Sequence, residues 1–300
     1  MRDCQRHKIA IILKGDAPGA ACLRAEMSQI ATDGEEIALH PTARAGHAIE
    51  LAQALAPTVD YLLAAGGDGT LNEVVEGALR NGDSDQPGFG VVALGTANDF
   101  LKSIGADGTL QQCLQLIRSG QSRLVDIGLV TCRGGRRHFI NAADIGIGAQ
   151  VVQQLDRGRR RRRADLAYCS AIIRAFLRFR KVTLRIRSDQ GLDWQGPCLG
   201  LLAGNGRFFG SGLAAMPDAR LDSGELAVTL VGDVSMLDFL RELPTLRAGR
   251  HVAHPEVSYH RALWLEVSHG ERPCGVEVDG EFLGQTPLRV AVSARRVRML

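Results

Sequence analysis

Val59-Asp60-Tyr61-Leu62-Leu63-Ala64-Ala65, then Gly66-Gly67-Asp68-Gly69-Thr70, then Leu71-Asn72-Glu73-Val74-Val75-Glu76-Gly77-Ala78-Leu79 is the stretch on which the fold turns. The first segment is an apolar run of strand length. In the last, positions 71, 74, 75, 78 and 79 are apolar and recur at helical spacing. Gly66–Thr70 is thus predicted to be a strand-to-helix turn. Its glycines let the backbone come close to a ligand. The free amides and positive dipole end of the following helix favour an anion there. Asp68 would repel a bare phosphate. A divalent cation, held directly or through water, is the usual reason for a carboxylate at such a place. The turn reads as a nucleoside triphosphate site, although a Gly/Asp tight turn without a ligand uses the same residues.

A second turn of this kind lies downstream. Gly90-Val91-Val92-Ala93-Leu94 is another apolar strand, and it runs into Gly95-Thr96-Ala97-Asn98-Asp99-Phe100 before a short helix. Two such turns, about 27 residues apart, fit successive βα units of one parallel sheet. Ligands of such sheets bind outside the carboxyl ends of the strands. Asp68, Thr70, Thr96, Asn98 and Asp99 would then face one crevice.

Outward from these turns, the chain divides near residues 126–130. Before that point strands (Ile9–Leu13, Glu36–Leu39, Tyr61–Ala65, Gly90–Ala93) alternate with amphipathic helices, one of which is expected to end at a left-handed Gly34. After it come short strands (Phe139-Ile140, Val182–Ile186, Leu199–Ala203, Leu226–Val231, Leu263–Val267, Val276–Val278) between Gly- and Asp-rich turns. The expected fold is an α/β domain with a parallel sheet and the GGDGT turn, followed by an antiparallel β-sandwich domain.

Composition fits such a pair of domains. Of 300 residues, 45% are hydrophobic and 23% charged, with a net charge of +3. Seven cysteines without a Cys-x-x-Cys pair point to reduced thiols and a cytoplasmic protein. Ile9–Leu13 is too short for a signal peptide, and no run reaches the roughly 20 apolar residues of a membrane span. Aromatic residues are 5%, and no interleaved Arg/aromatic surface suggests nucleic acid.

GGDGTLNEVVEGAL followed by VVALGTANDF resembles the catalytic domain of the bacterial diacylglycerol kinase and lipid kinase family, a relative of sphingosine and ceramide kinases. The likeness continues through Thr42-Ala43-Arg44-Ala45-Gly46-His47-Ala48, Val125-Asp126-Ile127-Gly128, Asn205–Gly210 with Pro217-Asp218-Ala219, and Val278-Asp279-Gly280-Glu281. It implies an ATP- and Mg2+-dependent kinase that phosphorylates a lipid hydroxyl, diacylglycerol or a relative, in a cleft between two domains. Those would be residues 1–128, with 290–300 packing back on them, and residues 129–289.

Resemblance also assigns the site. Nucleotide contacts fall to Thr42, Gly66, Gly67, Asp68, Gly69, Thr70, Leu71, Asn72 and Thr96. A metal and phosphate network falls to Asp68, Asp99 and Asp126. The base is Glu281, with Asp279 beside it. A structural magnesium loop would lie at Arg220, Ser223 and Glu225, where Ser223 replaces the family's ligating Asp. The first strand ends in Lys14-Gly15-Asp16-Ala17-Pro18-Gly19 rather than the family's Asn-Pro-x-Ser-Gly turn, and Ala97 stands where many relatives carry a Thr.

Charge is clustered in Arg157 and Arg159–Arg163, just before the amphipathic stretch Leu166–Arg180. This suits an anionic membrane surface and a peripheral place at the inner membrane face. A solvated loop leading to a core helix is the alternative, since Arg outnumbers Lys 32 to 4 in the whole chain. A homodimer stays open. Two other functions stay open as well: a kinase of a soluble acceptor such as NAD, and a nucleotide-binding regulator of the same fold without catalysis.

Overall fold

A computed structural model describes residues 7–30, 34–82, 86–95, 97–157 and 179–300, with side chains omitted for 154–157. The chain forms two compact units. One comprises residues 1–101, 105–125 and 296–300, and the other residues 102–104 and 126–295.

The first unit is built on four parallel strands, β1 (Lys8–Leu13), β2 (Glu36–Pro41), β3 (Tyr61–Gly66) and β4 (Gly88–Ala93), in the order β2-β1-β3-β4. β1 and β3 are buried along nearly their whole length, as strands covered on both faces must be. Around them lie α1 (Ala20–Gln29), α2 (His47–Leu55), α3 (Asp68–Leu79), α4 (Asp99–Ile104) and α5 (Leu110–Ser119). α5 shows the local logic. Thr109 caps it by accepting from the Gln112 amide, Leu110, Cys113, Leu114 and Ile117 form its buried face, and Gly120 ends it in a left-handed conformation. The α1 helix does not run on to Gly34. It stops at Gln29, where Ile30 turns extended, and Gly34 (φ 101°) instead leads into β2. The chain's last residues join this unit: Arg298 and Met299 pair in parallel with Gly88 and Phe89, and Leu300 packs into its core.

The second unit is an antiparallel sandwich. One sheet has the order β12-β11-β10-β7-β14-β15, from β12 (Val257–Ala262), β11 (Leu226–Val231), β10 (Gly200–Gly204), β7 (Ala142–Gly146), β14 (Gly275–Val278) and β15 (Glu281–Gln285). Facing it are β9 (Asp193–Cys198), β8 (Val182–Ser188), β13 (Trp264–His269) and the first half of β16 (Leu288–Met299), with the hairpin of β5 (Arg123–Cys132) and β6 (Gly135–Phe139). Alternation places the core. Val182, Leu184 and Ile186 of β8 point inward, and Leu201, Ala203, Val228, Leu230, Ala143 and Ile145 meet them from the other sheet. Among the described residues this unit carries α6 (Ile147–Arg157) and α7 (Met236–Arg247), the latter opened by a Ser235–Asp238 capping box. The expected α/β domain and antiparallel β-domain are thus both present.

Candidate active site

In the first unit, the strand order reverses between β1 and β3, the kind of switch point where such sheets open a crevice. The carboxyl ends of the strands there carry the predicted residues. The Gly15 amide donates to Thr42 Oγ1 at 3.2 Å, and the amides of Leu94 and Gly95 both donate to Gly66 O (2.9 and 3.0 Å). The two glycine turns touch. A Cβ on Gly95 would come within 2.7 Å of Gly67 Cα, so only glycine fits. Gly67 is the extended N-cap of α3, and Gly69, Thr70, Leu71 and Asn72 follow in its first turns, the last three buried. Thr96 lies outside the described residues.

Asp68 joins the two turns. Its Oδ2 accepts the Asp99 amide and its Oδ1 the Phe100 amide, each at 3.0 Å, so it caps the free N-terminus of α4. Sequence reasoning assigned this carboxylate to nucleotide contact and to a metal and phosphate network. The structure adds another reason for it, the amides of a helix 31 residues away, which no local pattern encodes. Asn98, expected to face the same crevice, holds a left-handed φ of 49°. Its Nδ2 donates to Gly95 O while its Oδ1 is buried without a partner. An orphaned acceptor beside Gly67 and Gly95, with Asp68 and Asp99 in the same turns, is an all-oxygen donor set of the kind magnesium takes. Among the described residues there is no group of three or more His, Cys, Asp or Glu able to hold a metal alone.

In the second unit, Asp279 is spent on the backbone. Its two oxygens accept the amides of Ile140 (2.8 Å), Asn141 (3.1 Å) and Ala142 (2.8 Å), and its φ is 45°. It is a positioning residue that fixes the entry to β7 and the turn leading to Glu281. Glu281, 45% exposed at its side chain, accepts from Arg137 Nη2 at 3.1 Å. Asp126 is also inward-facing. Its carboxylate accepts the Gly224 amide at 2.6 Å, and its carbonyl accepts from Asn205. It thereby anchors the Arg220–Glu225 loop.

In that loop Ser223 does not stand in for the family's ligating Asp, and Asp222, 3.9 Å from Arg220, is the loop's remaining Asp. Ser223 Oγ sits 2.9 Å from Glu225 O and 3.4 Å from Arg220 O, so the hydroxyl closes the turn on itself and brings no charge. The Glu225 carboxylate takes Gln190 Nε2 at 2.6 Å and lies 3.8 Å from Arg261. Arg157 ends α6, while Arg159–Arg163 and most of the amphipathic stretch lie outside the described residues. No helix among the described residues is long and apolar enough to cross a membrane.

A cavity of about 180 Å3 lies on the outer face of the six-stranded sheet, roofed by α6 and α7. Val151, Leu202, Leu213, Phe239 and Leu246 are among its apolar walls, and Asp144 is the charged residue of β7 that lines it. Burial pushes the Asp144 carboxyl up to about 7. Sequence reasoning missed this residue. Its signal was a lone carboxylate inside the apolar stretch Ala142-Ala143-Asp144-Ile145.

The Diacylglycerol kinase catalytic domain family matches residues 14–130, and the YegS C-terminal NAD kinase beta sandwich-like domain matches residues 141–300. A "Probable lipid kinase YegS-like" protein of Stenotrophomonas maltophilia is 31% identical over 293 residues, covering 96% of this chain and 94% of its own. A diacylglycerol kinase of Staphylococcus carnosus is 32% identical over 255 residues, covering 85% of this chain and 81% of its own. The fold is that of a solved diacylglycerol kinase from Bacillus anthracis (TM-score 0.73, 18% identity, 99% of this chain and 97% of that one). With matched domains spanning both units and relatives above 30% identity along nearly the whole length, the chain belongs to the diacylglycerol kinase and lipid kinase family.

Proposed function

We propose that the protein transfers the γ-phosphoryl group of ATP to the hydroxyl of a lipid, with magnesium as cofactor, at the inner face of the cytoplasmic membrane. The observation that carries this reading is the union of the two glycine turns through Asp68 at the β1/β3 switch point. There the backbone of Gly66–Thr70 would cradle the phosphates, and Thr42 and Gly15 would flank them. Asp68, Asp99 and Asn98 would hold magnesium, which supplies neutralisation of phosphate charge when bound.

The second unit provides the groups for the acceptor. Glu281 takes the proton of the lipid hydroxyl at a carboxylate oxygen, oriented by Arg137. Asp279 keeps its strand and turn in place through three amides. The apolar cavity under α6 and α7 receives an alkyl chain. The Arg157–Arg163 run contacts anionic headgroups.

The test is incubation of the purified protein with γ-labelled ATP, magnesium and a panel of lipids in anionic vesicles. Label is expected in an extractable lipid and not in NAD. Label in NAD alone would overturn the reading.

A further inference from the structure

The two sides of α7 differ in kind. None of its residues is fully buried. Its inner side lines the cavity with Asp238, Phe239, Glu242 and Leu246. At about 100° per residue, Leu237, Leu240 and Pro244 fall on the opposite side, within an arc of about 60°. Arg241 and Arg247 stand at the two edges of that arc. All five are exposed, Leu237 by 56% and Leu240 by 48%. The face runs on past the helix end. Ala248 and Arg250 are exposed around Gly249 (φ 70°), and the exposed Arg207 has its guanidinium beside that glycine. Both acidic residues of α7, Asp238 and Glu242, belong to the cavity side, so the outer side carries cations alone. Asp238 Oδ1 lies 3.6 Å from Arg241 Nη1, and the Arg241 side chain keeps 67% exposure. A surface pair of this kind contributes little.

A single exposed leucine is ordinary on a protein surface. Here two stand one turn apart beside an exposed proline, with arginines on both flanks. That is the pattern of a helix lying in a membrane interface. A second copy of the chain fits the face less well. The apolar stripe is three residues wide, while a stable interface takes about 20–30 residues a side. A two-fold copy laid on it would also bring arginines against arginines. A bilayer satisfies both parts of the face. The leucines enter the acyl boundary. The arginine stems run along the apolar layer while their guanidinium groups stay with the lipid phosphates. The unopposed positive charge selects anionic headgroups over neutral ones.

We propose that the outer face of α7 docks flat on an anionic bilayer, with Leu237 and Leu240 inserted at the acyl boundary and Arg241, Arg247 and Arg250 on lipid phosphates. As the way a kinase reaches its acceptor, this rests on the lipid-kinase reading. As an affinity for bilayers, it stands alone. It is also separate from the Arg157–Arg163 run. A contact made by arginines only is lost when salt screens it, whereas the leucines of α7 hold on through apolar burial that salt does not screen.

The test is sedimentation with extruded vesicles of phosphatidylcholine mixed equally with phosphatidylglycerol, without nucleotide. Leu237→Ser combined with Leu240→Ser should lower the affinity by roughly tenfold to a hundredfold, because two half-exposed leucines no longer leave water. That loss should persist at high salt. Arg241→Gln combined with Arg247→Gln should lower it by roughly thirtyfold at low salt, about fivefold per Arg, and by little once salt screens the charge. All four positions are exposed, so a native Tm is expected in both double variants. Leu240→Trp gives a reading that needs no loss of binding. Its fluorescence should be quenched by lipids with brominated chains, beyond the background of Trp194 and Trp264 in the native protein. No added quenching would overturn the proposal. Native affinity in both double variants would overturn it too and would place the membrane contact elsewhere on the chain. So would a dimer in sedimentation velocity that the serine substitutions dissociate while vesicle binding stays native, since the occupant would then be a second copy. The second arm adds labelled ATP and magnesium. Vesicle binding through α7 with no label in any lipid would sink the kinase reading and leave the docking surface standing. Native rates of lipid labelling in these vesicles by both double variants would do the reverse.

Discussion

Removing the Asp68 carboxylate should damage both stability and transfer, and the two losses can be separated. Asp68 accepts two backbone amides at 3.0 Å from the first turn of α4. Two bonds to a charged acceptor contribute about 1.5–3 kcal/mol each, an upper bound near 6 kcal/mol. Capping substitutions alone cost about 0.5–2 kcal/mol, because freed amides at a helix end regain water. Asp68→Ala should therefore cost about 2–4 kcal/mol, or about 4–16 °C in Tm at this size. Asp68→Asn keeps one acceptor oxygen and should cost about half as much. It also removes the charge proposed to hold magnesium, so its turnover should fall by roughly 10²–10³-fold, as when an electrostatic contact in a transition state is lost. Thermal unfolding and single-turnover transfer from labelled ATP would be measured on both variants. An unchanged Tm for Asp68→Ala would refute the capping argument. Native turnover in Asp68→Asn would refute the charge argument, whatever the Tm.

Four further outcomes are expected. Glu281→Gln should lower turnover by roughly 10²–10⁴-fold with little change in ATP affinity; a parallel loss of ATP binding in equilibrium dialysis would make Glu281 a nucleotide or structural residue. Gly95→Ala would place a methyl 2.7 Å from Gly67 Cα, so it should separate the glycine turns and abolish ATP binding, and native affinity would show that the turns need not touch. Stability in urea should fall as pH rises from about 4 to about 7, because the native state keeps the Asp144 proton that the unfolded chain has lost. Asp144→Asn should flatten that slope, leaving the part due to Glu277, its buried neighbour on β14, and an unaltered slope would place the titration elsewhere. Replacing Arg160, Arg161 and Arg162 with Gln should weaken binding to anionic vesicles over a hundredfold at low salt, at about 1 kcal/mol per Arg, and equal sedimentation of native and substituted protein would assign the run to a solvated loop.

The sequence by itself determined the order and kind of the elements around the two glycine turns. Tyr61–Gly66 and Gly88–Ala93 are apolar runs of strand length, and Leu71, Val74, Val75 and Ala78 recur at helical spacing, so the βα rhythm is written in neighbours. The short alternating strands of the second half, such as Val182–Ser188, are written the same way. The family's motifs could be read in order because each is a contiguous string. Register and partnership were decided only in three dimensions. Asp68 finds its amides 31 residues on, and Asp279 finds three of them 137 to 139 residues back, so carboxylates that read as chemistry also hold backbone. Ser223 closes its own turn where a ligand to a metal was expected. Asp144 meets Glu277 only because β7 and β14 pair in one register, and a slip of one residue would turn both to the other face. Periodicity reports which side of an element is apolar. It carries no information about which distant polar group a buried carboxylate will meet, and at the candidate site that meeting sets what each carboxylate is free to do.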